Sequence, residues 1–320
     1  MSDVDAQSTT TTDSAQADQS EQTVEVTGKL VDQSGKQPPQ VRRPARGLIG
    51  WMTTDAAVMF LNGNVVGIPA LPDQLNAIEA AHQAVTARDP FVVQCDVVED
   101  VPEALGDHIE LLSGEAEAAA MLSQGWVVRM VDLTRVCGFQ PTVFSDSAAE
   151  RVSGLDGSDM AAVARVTLPV GPPEEITPSF DPGRNCWLLS SRNPNLRVVC
   201  NFAGSVATPQ GALPGFGFVV TVSKSFMQVG EFEGRYFMRD GNHRAMGLIG
   251  AGIRRVPAFV KQVTSIEELV PANMLPQAAY RGSRPPFLPD YLDDAVAAWS
   301  TLPAVQKLIA VHALELSPLG

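Results

Sequence analysis

The sequence predicts a mixed α+β protein in which strands and short helices are interleaved along the chain. Three observations predict it. Runs rich in β-branched and aromatic residues recur at 126–133, 197–202, 218–223 and 256–260 and read as strands. Residues 74–87 and 115–124 carry an apolar stripe or high helix propensity. Gly- and Pro-rich connections interrupt these segments at irregular spacing, with no repeat of fixed period.

Taken in order, residues 1–46 read as a disordered acidic tail and linker. Ser, Thr, Gln and Asp dominate as far as about residue 40, and such a segment buries too little surface to offset its ordering entropy. Residues 22–31 are the one strand-like stretch within it, and the prolines between 38 and 44 suggest a linker. Residues 47–125 form an N-terminal α/β elaboration or small domain. There the apolar runs 48–52 and 57–60, the Asn62-Gly63-Asn64 turn and residues 65–68 suggest a hairpin. Asp73 is placed as the N-cap of a helix over 74–87, with Leu75, Ile78, Ala81 and Val85 on one stripe. Pro90 stops that helix, and residues 91–98 read as a strand. The helix at 115–124 is closed by Gly125, and the strand after it ends near Asp132.

Residues 126–265 form the core, with inserted loops. Loop and short helix alternate over 145–163, and 171–184 is a long connection. Residues 266–320 read as a C-terminal helical extension, with a short helix at 266–269 and helical segments near 293–299 and 305–314.

Charge limits the partners. The chain of 320 residues carries a formal net charge of −13 and 45% apolar content, so its overall field repels a nucleic-acid backbone. Arg42, Arg43 and Arg46, and likewise Arg254 and Arg255, read as solvated rather than as binding patches. Four scattered cysteines without a CxxC pair, and four histidines without HExxH spacing, give no metal-site pattern. The four tryptophans read as core or interface residues. No apolar run approaches the ~20 residues of a membrane span, and the opening residues lack the features of a secretory signal. The expected compartment is the cytoplasm.

One stretch carries chemistry: Arg235 to Val260, GRYFMRDGNHRAMGLIGAGIRRVPAFV from Gly234 onward. Arg235–Arg239 alternates as a strand, with Tyr236 and Met238 on one face and Phe237 on the other. Asp240-Gly241 forms a tight turn, and Asn242 is read as the N-cap of a short helix that buries Ala245, Leu248 and Ile249. Gly250 and Gly252 end it, and residues 256–260 resume as a strand. The first turn of that helix offers free N–H groups and the positive end of its dipole to an anion. His243 and Arg244 lie in this turn, as donors to phosphate oxygens. Asp240 precedes it, placed either to hold Mg²⁺ or to orient Arg244.

These residues resemble the signature of the ParB/sulfiredoxin-like superfamily, namely a Gly-x-[His/Arg]-Arg turn, a short Ala/Leu helix, a glycine and then Val-Pro opening a strand. VDLTRVCGFQPTVF, with Gln140-Pro141, resembles the family's opening strand and loop. The main match covers about 25 residues. The resemblance implies a ParB/sulfiredoxin-like core of mixed sheet and short helices that binds ATP or CTP with Mg²⁺. On it, Gly241, Asn242, His243 and Arg244 contact phosphates, and Asp240, His243 and Arg244 are the catalytic candidates. There are departures. Asn242 stands where sulfiredoxins carry cysteine, which removes sulfinic-acid reduction, and the helix-turn-helix module of ParB partition proteins is not evident. Asp132, the one residue that matches the acidic base of a kinase branch, reads more readily as a strand-end carboxylate. Asp240 is equally a turn residue, and Arg281 and Arg284 read as solvated loop residues.

Two functional readings stay open. One is a nucleotide-dependent phosphotransferase or hydrolase. The other is a non-catalytic module that binds a nucleotide or a phosphorylated small molecule.

Overall fold

The computed structural model describes residues 41–172, 175–191, 195–209, 211–271, 274–304 and 307–312. The disordered segment expected through residue 40 lies outside them. In chain order the first elements are β1 (Arg42–Gly47), α1 (Thr54–Leu61), α2 (Pro72–Thr86), β2 (Val98–Glu99), α3 (Gly106–Ser113), α4 (Ala116–Ser123) and β3 (Val127–Asp132). Then come β4 (Thr142–Phe144), α5 (Ser145–Arg151), α6 (Met160–Thr167), β5 (Thr177–Asp181), β6 (Cys186–Ser190), β7 (Leu196–Thr208) and β8 (Gly211–Val222). The last are β9 (Gln228–Phe232), β10 (Arg235–Asp240), α7 (Asn242–Gly250), β11 (Arg255–Gln262), α8 (Gln277–Arg281), β12 (Ala298–Pro303) and β13 (Leu308–His312). The α+β class is thus observed.

A five-stranded sheet in the order β10-β9-β11-β3-β2 carries the motif. Its strands are antiparallel neighbours except β9 and β11, which run parallel. β10 and β11 flank α7 in sequence, yet β9 lies between them in the sheet, so the strand–helix–strand unit is not a parallel crossover. A second sheet, β12-β1-β4, joins the two ends of the described chain. The remaining strands form a three-stranded sheet, β13-β6-β5, and the long hairpin β7-β8.

Several sequence expectations are corrected. Residues 41–46 are not linker, because β1 is the central strand of the second sheet. Two of its arginines are not simply solvated: Arg46 is buried and donates to Tyr291 O and to the Asp294 carboxylate, while the half-buried Arg43 pairs with Asp146; Arg42 is exposed. The hairpin at 57–68 is instead the helix α1, capped by Thr53, whose Oγ1 accepts from Ala56 N. Asn62-Gly63 closes that helix, as Gly63 N donates to Phe60 O and Asn64 N to Met59 O, both at 2.8 Å. A helix end and a hairpin turn both need φ above zero, which Gly63 and Asn64 supply.

Helix α2 begins two residues earlier than expected, with Leu71 as N-cap and Asp73 inside the first turn. Residues 91–97 are irregular, with Val92 and Val93 exposed, and only Val98–Glu99 pairs as strand. The loop expected between 202 and 218 is mostly strand, since β7 and β8 pair along their length. Among the described residues, the C-terminal segment is not wholly helical: the short helix expected at 266–269 is present as a turn at Ile266–Glu268, but 298–303 and 308–312 are strands. β12 pairs antiparallel with β1 and β13 with β6, so partner strands override local helix propensity. The expected boundaries at 125 and 265 do not separate cores either, because one buried cluster runs from Ala45 to Leu302. No described helix is long and apolar enough to cross a membrane.

Candidate functional site

The turn after β10 adopts the conformation that its sequence requires. Gly241 has φ +110° and serves as the N-cap of α7, a backbone angle that L side chains rarely adopt. Asn242 is therefore the first helical residue and not the cap. Ala245 N is the first amide returned to the helix, to Gly241 O at 2.8 Å. The amides of Asn242, His243 and Arg244 have no partner among the described residues, as expected at a helix start.

A cavity of about 210 Å³ opens beside this turn. Asp240, Gly241, Asn242, His243 and Arg244 all line it, so the structure brings every sequence-nominated site residue together. Gln140 lines it as well, which joins the Gln-Pro loop to the motif across about a hundred residues of chain. Asp132 does not line it; its carboxylate caps the next turn, accepting from Thr134 N and Thr134 Oγ1. Arg281 pairs with Glu233, and Arg284 donates to Arg88 O, both away from the cavity.

The side chains divide the work differently from the sequence expectation. Arg244 is 4% exposed. Its Nη1 donates to the carbonyls of Ser225, Val166 and Thr167, and its Nη2 donates to Ser225 Oγ at 2.8 Å. Asp240 lies 3.7 Å from Nη2 and also accepts from Ser225 Oγ. Burial lowers the Arg244 pKa to about 10, with Asp240 opposing the shift, so the guanidinium stays charged at neutral pH. Arg244 is thus an anchor in the cavity wall, most of whose donors are already committed to protein oxygens. Asp240 sits beside the guanidinium as a long ion pair, while the carbonyls and Ser225 Oγ hold that group.

His243 stacks on Phe144, with ring centroids 6.0 Å apart and an interplanar angle of 14°. Burial, then the nearby charges of Arg151 and Arg43, push its pKa down to about 4. The imidazole is neutral across the physiological range. Because the unfolded chain holds this proton below about pH 6.5 and the folded chain only below about 4, folding stability falls as pH drops through that window. The contribution is on the order of 3 kcal/mol. His243→Phe is expected to flatten this part of a urea-denaturation pH profile, and an unaltered profile would count against the buried neutral imidazole.

Asn242 is 5% exposed, and its Oδ1 is buried without a hydrogen-bond donor. An orphan acceptor of this kind is costly unless something else supplies the partner.

Two cations were missed by the sequence reading. Arg151, the last residue of α5, is exposed and has no ion pair among the described residues. It reaches the rim because α5 packs closely on α7 at Gly247, where a Cβ would come within 2.3 Å of Ala148 O. Arg239 is the extra residue of a β-bulge between Met238 and Asp240, and bulges re-aim a side chain. It donates to Gln228 Oε1 and lies over Trp126, without a carboxylate partner among the described residues. Phe237 and Met238 are both buried, so both faces of β10 are covered before the bulge. No spacing signal links residue 151 to the motif. Arg239 adjoins it, but only the structure shows that this exposed side chain lines the cavity.

The chain matches no protein-family model, no curated protein and no solved structure.

Proposed function

We propose that this protein binds a phosphate-bearing small molecule at the start of α7. One observation carries the reading. In a chain of net charge −13, the cavity at this turn is lined by Arg151, Arg239 and Arg244 against a single carboxylate, Asp240, among the described residues. Arg151 and Arg239, which have no acidic partner among the described residues, supply the accessible charge. The three unpartnered amides of α7 supply directed donors, and the orphan Oδ1 of Asn242 suits a hydroxyl on the same ligand.

The resemblance of residues 235–260 to the ParB/sulfiredoxin-like superfamily extends the proposal to a nucleotide, ATP or CTP. The donor set fits a phosphate chain. Asp240 is the one lining carboxylate that would meet a Mg²⁺ ion carried by phosphate oxygens, a common arrangement for that ion. The neutral, stacked His243 and the committed donors of Arg244 favour the binding module. The half-exposed Asp240 beside the helix amides is the feature that favours a phosphotransferase or hydrolase.

Calorimetry with inorganic phosphate, ATP and CTP, each with and without Mg²⁺, tests the reading. Saturable binding to at least one is expected, and no heat from any of them would end it. Phosphate release or transfer over the same panel would establish the catalytic version.

A further inference from the structure

A second hollow, of about 220 Å³, meets the first at Arg151, Ser225 and Arg244. Its remaining lining residues are Val166, Pro169, Val170, Pro172, Val222, Ser223 and Lys224. Other than Arg151 at the junction, its polar side chains already have partners. The Lys224 ammonium is 2.5 Å from Glu115 Oε2, and Ser223 Oγ accepts from Arg197 Nε at 2.6 Å. Ser225 Oγ accepts from Arg244, and the carbonyls of Val166 and Thr167 also serve Arg244. Valine and proline carbon makes up the larger share of the wall that remains.

We infer that the two hollows form one composite site, in which the anion of an organic phosphate sits at the α7 turn and its compact apolar body occupies the second hollow. This rests on the proposed anion site and adds the class of the ligand. The Arg151–Ser225–Arg244 ridge is where head and body join. A body that brought its own strong hydrogen-bonding groups would find few unpaired partners among the described residues, whereas an aryl or branched alkyl group loses nothing on entering. Each hollow alone is smaller than a typical small-molecule pocket, and the two in contact reach that size.

The test compares inorganic phosphate with phenyl phosphate on the purified full chain by calorimetry. Phenyl phosphate is expected to bind at least about tenfold more tightly, in line with burial of one ring. Filling the second hollow from either wall, by Val170→Trp or Val166→Trp, is expected to bring the ratio of the two affinities close to one. Two variants on different segments guard against one that fails to fold, and the wild-type comparison stands without either. Equal affinities in the wild type would overturn the inference while leaving the anion site intact. A ring preference that survives in a folded filled variant would overturn it too. Failure of both probes to bind would instead remove the anion site itself.

Discussion

Replacing Arg244 by alanine is expected to destabilise the apo protein by about 3–5 kcal/mol, a fall in melting temperature on the order of 10 °C. The sequence alone suggests the opposite, a ligand-facing residue whose loss spares the fold. The difference lies in the partners. The guanidinium holds the carbonyls of Val166 and Thr167 at the end of α6, and the carbonyl and hydroxyl of Ser225 before β9. Truncation removes this donor from the Val166 and Ser225 carbonyls and from Ser225 Oγ, while Thr167 O keeps its bond from Met227 N, and each buried group left unpaired costs about 1–3 kcal/mol. Asp240 loses its neighbouring charge as well. Arg244→Lys is expected to recover only part of the loss, because one ammonium cannot span the oxygens that the planar fork reaches. Thermal melts without ligand decide it. An alanine variant that melts with the wild type would mean that Arg244 is no anchor.

Reversing the two accessible cations is expected to do the converse. Arg151→Glu and Arg239→Glu should each weaken phosphate binding by roughly 10- to 100-fold, the scale of one lost charge-assisted contact plus a like-charge repulsion. The Arg151 variant should stay within about 1 kcal/mol of wild-type stability, since the residue is exposed and ends α5. Binding measured in rising salt should fall for the wild type and change little for the double variant, because partly exposed charges are screened. Unchanged affinity in both single variants would place the anion elsewhere and remove the proposed role of this cavity.

These two results probe different links between sequence and site. The motif around Gly241 is legible because its needs are local. A glycine must supply φ +110°, the next amides must open a helix, and Ala245 and Leu248 must bury a face. Helix α4 and its closing Gly125 are readable for the same reason. Where a local need has two solutions, the sequence misleads: Asn62-Gly63 suits a hairpin turn as well as the end of α1. Where the answer depends on a distant partner, it is silent. Residues 298–303 become a strand because β1 is there to receive them.

The sequence by itself determined the turn, the helix that starts there and the general sense of charge it would attract, because backbone angles and amide orientation follow from neighbouring residues. Only the tertiary structure decided which arginine anchors the wall and which ones face the cavity. The packing of α5 on α7 brings Arg151 to the rim, the bulge in β10 sets Arg239 at the cavity edge, and the carbonyls of α6 claim Arg244. Each of these assignments is set by where segments far apart in the chain come to rest.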